Sequence, residues 1–184
     1  MEAIWKSFFL VAATEMGDKT QLLAFVLASR FRNPVAVLAG IFVATILNHL
    51  LASYFGSWVS AQVPPHIMKW ALGATFIAFA AWILIPDKDD DKEENHKYGA
   101  FVTTLITFFL AEMGDKTQLS TVALAAHYDS VVRVTIGTTI GMMFSDGLAV
   151  IFGEKINQMI PMKWIRIFCA ALFVVFGLGI ILGF

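Results

Sequence analysis

The chain has 184 residues, of which 58% are hydrophobic and only 15% charged, with a formal net charge of -1 and a mean hydropathy of +0.74. Soluble domains carry about 25% charged residues, so the composition excludes an ordinary soluble domain and predicts an all-α integral membrane protein. The absence of a basic patch excludes a nucleic-acid partner, and the lone Cys169 excludes a disulfide or a thiolate metal cluster within one chain.

A membrane-crossing helix needs roughly 20 mostly apolar residues. Apolar runs punctuated by proline and charge predict six such spans, near residues 5–29, 34–60, 66–86, 100–127, 131–156 and 161–183. Pro34, Pro64, Pro65, Pro86 and Pro161 fall at the breaks, where a helix cannot continue. The first run is read as a span and not as a signal peptide, because it carries Glu15 and Asp18 in its middle and no small-residue cleavage site follows. One polar segment, Asp87 to Lys97, divides the chain into residues 1–86, an acidic linker at 87–98, and residues 99–184.

The two halves repeat one another. Glu15-Met16-Gly17-Asp18-Lys19-Thr20-Gln21-Leu22 returns letter for letter as Glu112-Met113-Gly114-Asp115-Lys116-Thr117-Gln118-Leu119, an offset of 97 (112 minus 15). At the same offset Gly40 meets Gly137, Leu51-Ala52 meets Leu148-Ala149, Phe55-Gly56 meets Phe152-Gly153 and Pro64 meets Pro161. Three spans per half is an odd number, so the second copy is expected to enter the membrane from the opposite side. That is the inverted-repeat plan of many secondary transporters, whose site lies near the midplane where the repeats meet. Arg30, Arg32, Lys88, Lys92, Lys97, Lys155, Lys163 and Arg166 collect on one side, against Lys6, Lys69 and Arg133 on the other. The excess places the linker in the cytoplasm and both termini outside.

The repeated motif carries the chemistry. On a continuous helix at roughly 100° per residue, Glu15, Asp18 and Gln21 form one oxygen-rich stripe, and Glu112, Asp115 and Gln118 form its twin. Two such helices face to face would supply four carboxylates and two amide oxygens. Six charges at membrane depth, counting Lys19 and Lys116, would cost on the order of 15 to 20 kcal/mol before pairing. Pairing of Lys19 with Glu15 and of Lys116 with Glu112, four residues apart, would offset part of this and leave two net negative charges, suited to a divalent cation. A purely structural ion-pair network is the competing reading, but buried pairs stabilise weakly and small residues alone can join membrane helices.

Gly17 and Gly114 either let the helix unwind or let backbones approach closely, and Thr20 and Thr117 either bond back to the preceding turn or line the path. In the second span of each half, Asn48-His49 stands where Ser145-Asp146 stands in the other. Asp146, a charge in an apolar run, and Asn48 join the candidate site; His49 is read as structural. Carboxylate and amide oxygens suit Mg²⁺, Ca²⁺ or Mn²⁺ over metals that favour His or Cys. Carboxylates crowded at low dielectric resist being ionised together, so a metal and protons would compete for the same oxygens, which gives a route to exchange.

Twin copies of Glu-x-Gly-Asp-Lys-Thr in a two-repeat chain resemble the GDT family of divalent-cation/proton exchangers. The resemblance covers nearly the whole chain. It implies a secondary transporter, not an enzyme, that binds its ion through Glu15, Asp18, Glu112 and Asp115 and carries Mn²⁺ or Ca²⁺ against protons with no resident cofactor. Bacterial members of this layout export manganese, and eukaryotic ones serve the Golgi or chloroplast. Only Met1 to Ile4 precede the first span, which fits a bacterial inner-membrane protein exporting Mn²⁺. The alternatives are a Ca²⁺/proton exchanger, a passive divalent-cation channel, and an amino-acid exporter in which Lys19 and Lys116 hold a carboxylate. Gln21, Gln118, Asn48 and Asp146 enter the candidate metal shell from geometry and burial cost alone.

Overall fold

The computed structural model describes residues 1–84, 99–152 and 162–183. The acidic linker, Pro86, Gly153, Lys155, Pro161 and the end of the fifth expected span lie outside the described residues. Eight helices and no strand occur among those described: α1 (Glu2–Glu15), α2 (Lys19–Phe31), α3 (Pro34–Gln62), α4 (Pro65–Ile83), α5 (Ala100–Glu112), α6 (Lys116–Tyr128), α7 (Val131–Phe152) and α8 (Met162–Leu182).

Two of the expected continuous spans are each a broken pair. The first divides into α1 and α2 at Glu15, and the fourth into α5 and α6 at Glu112. Glycine causes the break: Gly17 has φ 84° and Gly114 φ 79°, a left-handed conformation that costs an L residue roughly 1–2 kcal/mol. At 1.5 Å per residue α1 and α2 are about 21 and 20 Å long, short of the roughly 30 Å hydrocarbon core. Only the pair is long enough to cross it. By contrast, α3 and α7, of 29 and 22 residues, are each long and apolar enough to span a membrane unaided.

The helix ends follow local chemistry. Arg32 closes α2 in a left-handed conformation (φ 50°), its N–H donating to Ala28 O at 3.0 Å. Asn33 then caps α3, its side-chain oxygen accepting from Ala36 N at 3.1 Å, with Pro34 in the first turn where its missing N–H costs nothing. Asp129, also left-handed (φ 43°), ends α6 and accepts from the Ser57 hydroxyl at 2.8 Å.

Each long helix packs against the broken pair of the other half: α3 against α5 and α6, and α7 against α1 and α2, with α3 and α7 crossing each other and α4 lying on α8. Glycine permits the closest crossings. A Cβ on Gly40 would meet Thr104 Cβ at 2.7 Å and Phe101 O at 2.8 Å, and one on Gly137 would meet Ser7 Cβ at 2.9 Å and run into Ile4 O. These partners, like the glycines, stand 97 apart in sequence. So do Thr45 and Met142, which touch each other directly, the hydroxyl donating to Met142 Sδ at 3.1 Å.

Two apolar clusters hold the helices together. One centres on Leu72, Phe76, Phe79, Leu124 and Phe173, the other on Leu27, Val37, Ile41 and Phe108. The outside is apolar too, with Trp5, Phe9, Trp58, Trp70, Trp164 and Val175 all exposed. Some charged side chains are found within, where Glu15, Glu112 and Asp146 are fully or almost fully buried.

Candidate metal centre

The breaks build the site. Because α1 stops at Glu15, Gly17 N–H has no helical acceptor; the Gln21 amide oxygen takes it at 2.8 Å, and in the second copy Gln118 takes Gly114 N–H at 2.6 Å. Asp18 N–H and Asp115 N–H donate to Glu15 O and Glu112 O at 3.1 and 3.2 Å, closing the same turn twice. Asp18 and Asp115, both extended, then start α2 and α6. The helical stripe expected from the sequence does not form, since no continuous helix joins Glu15 to Gln21 or Glu112 to Gln118. The turns do bring acids from both halves together.

Glu15, Glu112 and Asp115 converge, each offering an oxygen within 4.8 Å of the others, and all three are buried. Glu15 is held from both halves: Thr20 Oγ1 donates to Oε2 at 2.7 Å and Thr117 Oγ1 donates to Oε1. Neither oxygen of Glu112, neither oxygen of Asp146, nor Asp115 Oδ2 has a hydrogen-bond partner among the described residues. Leaving buried polar atoms unsatisfied costs about 1–3 kcal/mol each, so these oxygens together represent a penalty on the order of 5 to 15 kcal/mol. Structural ion pairing does not account for them, whereas an incoming cation or protons would satisfy them.

The remaining candidates are placed less uniformly. Asp146, on α7, interacts electrostatically with Glu15, Asp18 and Glu112 but stands outside the convergent three. Asp18 is partly exposed and its Oδ1 accepts from Lys19 N at 2.7 Å, a helix cap. Gln21 spends its oxygen on Gly17 and its amide nitrogen on Ser145, at 3.1 Å to the carbonyl and 3.3 Å to the hydroxyl. Gln118 likewise turns its oxygen to its own loop. Asn48 donates to Phe109 O at 3.1 Å, one turn before Glu112, and its buried Oδ1 has no partner among the described residues. His49 is buried with both ring nitrogens unpartnered among those residues, so it is not the satisfied core histidine expected.

The expected pairing of Lys19 with Glu15 is replaced. Lys19 Nζ lies 3.0 Å from Asp115 Oδ1, across the two halves. The four-residue spacing that favours an ion pair on a helix is lost where the helix breaks between them. Lys116 Nζ sits 5.8 Å from the centre of the Trp82 ring. The sequence leaves the roles of Thr20 and Thr117 open, and both hydroxyls line the site on Glu15. Ser145, the partner of Gln21, lies outside the motif and is marked in the sequence only by standing at the position of Asn48 in the repeat.

Residues 3–91 and 100–183 match the family described as "Divalent cation/proton antiporter GDT1". The chain belongs to the GDT1 family. A protein of Vibrio cholerae serotype O1 named "Putative manganese exporter" is 44% identical over 180 residues, covering 97% of this chain and 90% of its own length. "GDT1-like protein 3" of Arabidopsis thaliana is 26% identical over 205 residues, 97% of this chain and 70% of that protein. "GDT1-like protein sll0615" of Synechocystis sp. is 26% identical over 202 residues, 96% and 95% of the two chains. No solved structure matches the chain. Membership in the GDT1 family makes this a multi-pass membrane protein that transports cations, and the twin motifs lie within the two matched segments, one in each.

Proposed function

We propose that the protein exports Mn²⁺ from the cytoplasm across a bacterial inner membrane in exchange for protons. The observation that carries this reading is the convergence of Glu15, Glu112 and Asp115, buried acids from both halves within 4.8 Å of one another. Their oxygens suit a hard divalent cation, and the name of the Vibrio relative favours manganese. In this reading Glu15, Glu112 and Asp115 ligate the ion, while Asp146 adds charge behind them. Asp18, Gln21 and Gln118 fix the two loops and Asn48 the turn before Glu112. Protons occupy the same oxygens when the metal leaves, which couples the two fluxes.

The scaffold we propose is six spans in two inverted three-helix repeats, 1–86 and 99–184, with both termini outside and the linker cytoplasmic. Three observations support it: the reciprocal packing of each long helix on the other half's broken pair, the matched glycine crossings, and the Thr45–Met142 contact. The test is Mn²⁺ flux in proteoliposomes with and without an imposed pH gradient, with Ca²⁺ as competitor. Gradient-driven flux that resists Ca²⁺ is expected. Flux indifferent to the gradient would mean a channel, and preferential displacement by Ca²⁺ would mean a calcium carrier. Glu112→Gln is expected to abolish flux while the protein remains folded by its thermal unfolding profile; normal flux in that variant would remove the proposed metal centre.

A further inference from the structure

We infer that Lys19 is a tethered competitor for the transported ion: its ammonium occupies the acid cluster in the metal-free protein, swings out when the divalent cation enters, and returns to expel it. The inference rests on the proposed divalent-cation site and adds to it a device for release. Lys19 Nζ lies 3.0 Å from Asp115 Oδ1 and comes from the opposite half of the chain. It interacts electrostatically with Asp115, Asp18 and Glu112, and Glu15 in turn feels its charge. The ammonium therefore touches Asp115, and its charge reaches the other three acids of the twin motifs.

The two ends of this pair are unequal. The Asp115 side chain is 5% exposed, whereas that of Lys19 is 38% exposed. Lys19 stands in the first turn of α2, on a flexible four-carbon stem beside the Gly17 break, so its head can withdraw from Asp115 without moving a helix. A lysine ammonium is a compact cation whose donors imitate, with one charge, what a metal does with two. A dication bound at Asp115 would lie within a few ångströms of it, and the repulsion at that range in a buried site excludes both from being present together. Charge is thus exchanged during the cycle: Asp115 keeps a cation whenever the metal is absent, and the unpartnered oxygens of Glu112 and Asp146 are left to protons. An untethered counter-ion would have to be found from solution each time; this one is always present.

Equilibrium Mn²⁺ binding to the purified full chain, read from the loss of the free-ion electron paramagnetic resonance signal, together with flux in proteoliposomes, tests the idea. Lys19→Gln is expected to bind Mn²⁺ about tenfold more tightly and to lower both KM and kcat, because entry no longer displaces a cation and exit is no longer assisted. Lys19→Arg keeps the charge and is expected to bind within about threefold of the parent, which separates a charge effect from lost packing or misfolding. If Lys19→Gln binds Mn²⁺ no more tightly than the parent while the parent binds it, the competitor role is overturned and the metal site stands. If the parent itself binds no Mn²⁺, the site and the competitor role fall together.

Discussion

Gly114 isolates one term of the motif's energetics. Its φ of 79° is left-handed, and a Cβ built on it meets nothing within 4 Å, so Gly114→Ala adds conformational strain without a steric clash. That strain is worth roughly 1–2 kcal/mol, and thermal unfolding in detergent is expected to show a loss of that size, accompanied by reduced transport because the turn carries Glu112 and Asp115. An unchanged melting profile would mean that the loop relaxes freely and that glycine is not what holds the break open. At this scale the sequence was a good guide to which groups are buried and a poor one to whom they bond. Glu15, Glu112 and Asp146 are legible as charges in apolar runs, since burial cost alone singles them out. The donation of Thr117 to Glu15 and the pairing of Lys19 with Asp115 join residues from different halves, and no local spacing encodes a contact of that kind.

Among elements, the crossings of the long helices on the broken pairs are the contacts least able to give. A Cβ at Gly137 runs into the Ile4 carbonyl oxygen, which is backbone and fixed in α1, so Gly137→Ala has to push α7 away from α1. Overpacking of this sort costs about 1–3 kcal/mol, and because α7 carries Asp146 and Ser145, the same shift loosens the Gln21–Ser145 bonds behind the site. Lower thermal stability with weaker Mn²⁺ binding is expected; a variant as stable as the parent would show that the two helices do not meet as closely as described. Hydropathy and proline placement made the long helices readable, with α3 starting at Pro34 and α7 at residue 131 as expected. The breaks at Glu15 and Glu112 were visible only as one of two roles for glycine. A single glycine in an apolar run is compatible with tight packing or with unwinding, and the choice is made by Gln21 and Gln118 bonding back to the loop N–H groups.

For the whole molecule, the excess of lysine and arginine on one side predicts an orientation that labelling can check. In a Cys169→Ala background, a cysteine placed at Glu2 is expected to react with an impermeant thiol reagent from outside intact cells, and one placed at Glu93 only after the inner face is exposed. The reverse pattern would turn the transporter over and make its proposed export an import. The halves were legible as a repeat because the motif is copied without a change. How the halves meet was not, because it depends on pairings such as Thr45 with Met142, where two unlike residues share equivalent positions.

The length of α3 has its own consequence. Its 29 residues make a rod of about 44 Å, and at the roughly 20° tilt usual for membrane helices this still exceeds the hydrocarbon core by about 11 Å, or some two turns. The excess cannot be removed by tilting α3 further without dragging α5, α6 and α7, all packed along it. The end of the rod that carries Ser57, Ser60 and Gln62 therefore reaches into the headgroup layer, and its depth there changes whenever the helix leans. The thickness of the host membrane thus bears on the transport cycle, felt by the acids through a rod packed along α5, α6 and α7.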